Sequence, residues 1–193
     1  MSPTKELVLR NVYLRLLPLL AVASVLAIAA SANPAPTPAA TRSPAIAQAI
    51  DAYRTATWRW QRLTGEPLTP TAFAERRTGD AAYRAWVRDL WRTRLAKAYR
   101  RAAHPPHRAA WQCIHRYERN PAQGWRTNTG NGYYGGLQMD ISFQRHYAPE
   151  LLAAKGTANR WTSLEQMWIA ERAYRSGRGF YPWPNTARYC GLI

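Results

Sequence analysis

Acidic residues are the scarcer charge in this chain. Its 193 residues hold 11 Asp and Glu against 27 Lys and Arg, for a formal net charge of +16. The four histidines, His104, His107, His115 and His146, fall into no HExxH or Cys/His ligand spacing, so no metal is expected. There is no P-loop, no dinucleotide fingerprint and no Gly-x-Ser-x-Gly elbow. Nucleotide chemistry built on those motifs and the serine elbow are therefore excluded, and no cofactor is expected. No internal repeat is visible.

Long apolar runs are also scarce. Leu16 to Ala30 is uncharged, follows the basic residues Lys5, Arg10 and Arg15, and leads to Ala30-Ser31-Ala32. This reads as a secretory signal peptide, residues 1–32, with cleavage after Ala32. The alternative is an uncleaved membrane anchor, which the shortness of the run and Pro18 disfavour. Cysteine occurs twice, as Cys113 and Cys190. In an exported protein an even count implies a disulfide, and two cysteines allow one pairing; the alternative is two independent buried thiols. A bonded pair leaves no cysteine nucleophile. Loss of residues 1–32 removes three basic residues and Glu6, leaving a net charge of +14 (16 − 3 + 1). Such a field draws polyanions. For an exported chain these are cell-wall polymers, stem-peptide carboxylates and lipid headgroups, with no nucleic acid expected.

Residues 33–44 are rich in Pro, Ala and Thr and read as a flexible tether. Ile46, Ala49, Ile50, Tyr53, Thr57, Trp60 and Leu63 then recur at helical spacing, up to a stop near Gly65. Asp80 is placed to cap a second helix with an apolar stripe of Tyr83, Trp86, Val87, Leu90, Trp91, Leu95, Ala98 and Tyr99. Arg84, Arg88 and Arg92 form a basic row on it, which costs some repulsion in isolation. Residues 45–107 thus form a basic α-helical arm. It is either a helix pair with a solvated cationic face or a binder of anionic polymers.

Residues 108–193 differ in kind, with both cysteines and many glycines. Helices are expected over Ala109 to Arg119, from Asp140 to Tyr147, over Pro149 to Lys155 and from the Thr162–Glu165 capping box to about Ser176. The tail Gly179 to Pro184 is too proline-rich for helix. Between the first two helices lies Asn128-Thr129-Gly130-Asn131-Gly132-Tyr133-Tyr134-Gly135-Gly136-Leu137-Gln138. Four glycines in eleven residues exclude a packed helix, and Asn-Gly before an aromatic pair is a tight turn into a strand. Tyrosines on such a loop offer flat amphipathic faces that suit sugar rings.

This segment contains five acids. Glu165 is explained by capping, Glu171 by an i, i+4 pair with Arg175, and Glu150 by the first turn of a helix. Glu118 and Asp140 remain. Partial burial of Glu118 beside Ile114 and Tyr117 would raise its pKa, as a general acid for glycosidic cleavage requires. The competing reading is an exposed Glu118 paired with Arg116 or Arg119.

The run Asn128–Gln138, with Trp125 before it and Asp140 after it, resembles the lysozyme-like catalytic domain of actinobacterial resuscitation-promoting factors. The tail Tyr181-Pro182-Trp183-Pro184 through Cys190 is more loosely similar. The resemblance covers about 108–193 and says nothing about the arm. It implies a mainly α (α+β), lysozyme-like domain with a small β element. It also implies cleavage of peptidoglycan glycan strands between N-acetylmuramic acid and N-acetylglucosamine. Water, or the muramic residue's own 6-hydroxyl, would complete the reaction. Glu118 takes the position of the catalytic glutamate, and Asp140, Gln138, Tyr133 and Tyr134 take cleft positions. Trp125 and Asn128 complete the expected substrate-binding set. A second cell-wall hydrolase as partner is left open. Two departures stand out. Tyr117 occupies the slot where the family places its cysteine, with Cys113 about one helical turn earlier, and the segment Arg119–Arg126 is longer than usual. A binding module that has lost activity is the competing function.

Overall fold

The computed structural model describes residues 42–73, 75 and 80–193. The expected signal peptide and residues 33–41 of the expected tether lie outside them. Helix α1, Arg42–Thr64, begins inside the segment read as tether. It stops before Gly65, whose φ of 77° suits glycine. Helix α2, Ala81–Ala102, opens on Asp80, whose carboxylate accepts from Ala82 N at 2.8 Å. The two helices pack through Ile50, Val87 and Trp91.

The apolar stripe of α2 is narrower than its sequence suggests. Val87, Trp91, Ala98 and Ala102 are buried, whereas Trp86 and Tyr99 are about half exposed. Neighbouring helical residues point about 100° apart, so Trp86 cannot share the face of Val87. The basic row is partly neutralised. Arg88 and Arg92 flank Asp89 at 3.0 and 3.5 Å, Arg94 reaches Glu75 at 3.3 Å and Arg101 reaches Glu66 at 3.1 Å.

Next come α3 (Arg108–Glu118), a 3₁₀ turn (Gly124–Arg126) and the antiparallel pair β1 (Tyr133–Tyr134) and β2 (Met139–Asp140), in which Tyr133 faces Asp140. Helices α4 (Ile141–Tyr147), α5 (Pro149–Lys155), α6 (Ser163–Ala173) and α7 (Pro184–Tyr189) complete the domain. The fold is mainly α with one small sheet, as expected. The proline-rich tail is not wholly without helix, because Pro184 opens α7. Proline suits the first helical position, whose N–H has no intrahelical partner.

The core is built around α6, which from Glu165 to Ala173 is buried except at Arg172. A helix covered on every side needs partners for its buried polar groups, and here all but Gln166 Oε1 have one. Gln166 Nε2 donates to Trp125 O at 2.8 Å and Ala158 O at 3.0 Å. Glu165 closes the capping box and also binds Lys155 Nζ at 2.7 Å. Burial pushes the Glu165 carboxyl up, but Lys155 and Thr162 outweigh it and hold the group below its usual range. Glu171 corrects the sequence reading. It makes no pair with Arg175 but points inward, accepting from His107 N at 2.7 Å and Trp111 Nε1 at 2.8 Å. It therefore pins the start of α3 to the core. Arg175 turns instead to Thr64 O at 3.3 Å.

The arm shares this core. Trp60, Leu63, Ala98 and Ala102 belong to the same buried cluster as Trp111, Ile114 and Trp168. Trp168 Nε1 donates to Ala102 O at 2.7 Å, and Arg172 donates to Arg62 O at 2.9 Å. Both acceptors are carbonyls near helix C-termini, which lack intrahelical partners.

Candidate active site

Helix α3 is amphipathic, and it buries Trp111 and Ile114 completely. Glu118 lies seven and four residues beyond them, on the same face in the last turn. That position leaves it half-buried. Its carboxylate Oε1 accepts from Thr186 Oγ1 at 2.8 Å. No ion pair joins Glu118 to Arg116, Arg119 or any other described cation. Burial pushes its carboxyl above the usual range, and the Thr186 bond opposes this only in part. A helix C-terminus, with its partial negative charge, also disfavours an anion.

Thr186 Oγ1 also lies 3.3 Å from Trp183 O. A hydroxyl carries one proton and accepts through its lone pairs. With Glu118 ionised, Thr186 can donate to it. With Glu118 protonated, Thr186 can accept a hydrogen bond from the carboxyl O–H and donate to Trp183 O instead. The site therefore accommodates both protonation states of the acid without moving heavy atoms.

A groove opens beside Glu118. A narrow part of about 210 Å³ holds Glu118, Asn131 and Asn185. It continues, through the shared residues Tyr133, Gln138, Pro182 and Trp183, into a wider part of about 480 Å³. The wider part is lined by Asp140, Ser142, Phe143, His146 and Arg178, among others.

The loop Asn128–Gln138 forms one wall. Asn128 pairs with Tyr134 across a bridge, and its side chain accepts from Gly130 N at 3.3 Å. Its visible task is thus to shape the turn. Side chains alternate along a strand. Tyr133 is half-exposed in the groove, whereas Tyr134 packs against the core. Gln138 has a left-handed backbone, φ 48°, uncommon for a residue with a side chain. Its Nε2 donates to Gly135 O at 2.8 Å. At Gly136 a Cβ would run into the His115 ring. His115 Nδ1 donates to Gly136 O at 3.0 Å, which holds the loop against α3.

Asp140 caps α4, accepting from Phe143 N at 2.7 Å, and lines the wider part of the groove. Trp125 lies elsewhere. It stacks on His115, with ring centroids 3.8 Å apart and planes 8° apart, and lines a separate cavity of about 440 Å³ with Tyr99 and Gln112. Burial pushes the His115 pKa down, against the Gly136 bond, and nearby Arg119 lowers it further.

The groove brings together Glu118, Tyr133, Gln138 and Asp140 from the sequence-derived set. Trp125, Asn128 and Tyr134 are not among its lining residues. The groove adds Trp183, and buried Thr186 holds Glu118 from behind it; the sequence reading assigned neither to the site. Their signal was Cys190. The disulfide to Cys113, with a Cα separation of 6.0 Å, ties the tail to α3. Trp183 Nε1 then donates to Leu137 O at 2.6 Å, joining the tail to the loop.

Comparison with protein families points to the segment that holds the groove. Residues 106–186 match the family described as the transglycosylase-like domain. The resuscitation-promoting factor Rpf1 of Corynebacterium glutamicum is 38% identical over 68 residues, covering 35% of this chain. The matched stretch spans only about a third, 34%, of that relative's length. Residues 106–186 are thus similar to the transglycosylase-like domain, and 68 residues of the chain are similar to a resuscitation-promoting factor.

Proposed function

We propose that this transglycosylase-like domain is an exported glycosidase that cuts peptidoglycan strands between N-acetylmuramic acid and N-acetylglucosamine. The observation that carries the reading is Glu118: a half-buried carboxyl, raised in pKa, held by a neutral hydroxyl and opening into an aromatic groove. The disulfide supports export.

In this mechanism the Glu118 proton passes to the glycosidic oxygen as the bond from the muramic C1 breaks. Positive charge develops at C1. The muramic 6-hydroxyl oxygen attacks C1, and its proton passes to the Glu118 carboxylate, which restores the acid. No water is consumed, and a 1,6-anhydro end results. The placement of carboxylates favours this route over hydrolysis. Among the described residues Glu118 is the one acid lining the narrow part of the groove, and Asp140 in the wider part is engaged in capping α4.

Digestion of isolated cell wall is expected to release soluble fragments whose muramic ends are lighter by one water than hydrolysis products. Mass spectrometry of the products checks this. Fragments carrying the full water would replace the intramolecular route with hydrolysis. Wall binding without any release would instead make the domain a binding module.

The acid also fixes a pH dependence. Glu118 must be protonated to act, so activity falls as pH rises through its pKa. Thr186→Val keeps the shape of the side chain and removes the hydroxyl that stabilises the carboxylate. The Glu118 pKa then rises further, and the alkaline limb of the wall-lysis profile is expected to move to higher pH. A limb that stays in place or moves down would detach that limb from Glu118.

A further inference from the structure

Arg178 is the one Lys or Arg among the described residues that line the groove. It stands in the wider part, which it shares with His146, Ser142 and Asp140. Arg178 is exposed and makes no ion pair with any described acid. Asp140, the acid nearest at hand in this part, is turned to Phe143 N. Arg178 follows Gly177, φ 92°, and precedes Gly179, φ 54°. A backbone bent by two such glycines holds the arginine at a corner instead of continuing α6.

An unpaired guanidinium at the wall of a groove is a forked donor suited to carboxylates. No described Lys or Arg lines the narrow part around Glu118. An anionic group on a ligand is therefore drawn towards the wider part, and this sets the ligand's direction. In a peptide-bearing glycan strand the acetamido and hydroxyl groups of the sugars are neutral and the muramic lactyl carboxyl is tied up in the amide to the peptide, so the free carboxylates belong to the stem peptides. We propose that Arg178 binds a stem-peptide carboxylate, so that the groove takes strands with ionised stem peptides in preference to strands whose stem-peptide carboxylates are neutralised. The inference rests on the glycan-strand reading above and adds a specificity determinant to it.

The test uses soluble glycan fragments with intact stem peptides, and the same fragments with their carboxylates amidated. Equilibrium binding and release rates are measured for the wild type, Arg178→Gln, Arg178→Lys and Arg145→Gln. Arg145 is an exposed cation on α4 outside the groove lining. The wild type is expected to bind the native fragment about tenfold more tightly than the amidated one, the scale of one charge-assisted hydrogen bond. Arg178→Gln should bind both alike, Arg178→Lys should keep part of the preference, and Arg145→Gln should keep all of it. In turnover, Arg178→Gln should raise KM for the native fragment and leave kcat unchanged. An Arg178→Gln protein that retains the full preference, or a wild type that has none, overturns the proposal. A wild type that shows the preference and cleaves nothing sustains the Arg178 site and overturns the glycosidase reading. Cleavage without preference does the reverse.

Discussion

Glu118→Gln is expected to lower the rate of wall cleavage by about 10²- to 10⁴-fold, the usual worth of a positioned general acid. Glutamine keeps the size of the side chain and can still accept from Thr186 Oγ1 through its amide oxygen. It has no proton to give to a leaving oxygen. Loss of activity should therefore come without loss of fold. Stability is expected to move the other way at neutral pH. A carboxyl whose pKa is raised in the folded state contributes stability that is complete below its unfolded pKa and lost as pH rises through its folded pKa. Above that window the folded protein carries an ionised group that its surroundings disfavour. Glutamine is neutral throughout and removes this penalty. The melting temperature of Glu118→Gln should equal or exceed that of the wild type at neutral pH, and any gain should vanish in acid. Zymography with thermal melts at two pH values checks both parts. Undiminished clearing by Glu118→Gln would sink the assignment.

The second large effect is expected from Cys113→Ser combined with Cys190→Ser. The bridge closes a loop with a sequence separation of 77. Chain-entropy arithmetic for such a loop gives about 4.5 kcal/mol. For a folded unit of this size that is a fall in melting temperature of roughly 10–15 °C. The functional loss should follow the structural one closely. Trp183 and Thr186 precede Cys190 in the tail, and without the bridge they are held by their bonds to Leu137 O and Glu118 and by the packing of Trp183 on Trp111 and Phe143. Denaturation under non-reducing conditions measures the first effect, and fragment release well below the melting temperature measures the second. A double variant as stable as the wild type would show that the tail is held by packing alone.

Much of the scaffold was legible in the sequence because local rules govern it. The cap at Asp80, the capping box at Thr162 and Glu165, and the stop at Gly65 each depend on a few neighbouring residues. The single cysteine pairing was legible by arithmetic. Glu171 was misread because its partners, His107 and Trp111, lie 64 and 60 residues away, while Arg175 sits at an attractive local spacing. Tyr134 and Trp125 show another limit. Aromatic residues serve a sugar cleft and a hydrophobic core equally well, and only the strand's alternation and the stack on His115 separate the two uses. Thr186 was invisible for a similar reason. A threonine near the tail acquires meaning only when the disulfide brings it to within 2.8 Å of Glu118.

The shared core of arm and domain bears on portability. The stretch matched by homology begins at residue 106, but the stretch that closes its hydrophobic surface begins in α1. A cut at that boundary would strip Trp60, Leu63, Ala98 and Ala102 from the cluster and leave the Trp168 indole without Ala102 O. The stretch matched by the family and the stretch that closes the core are thus different intervals of one chain. The groove can be grafted elsewhere only if the helical hairpin travels with it.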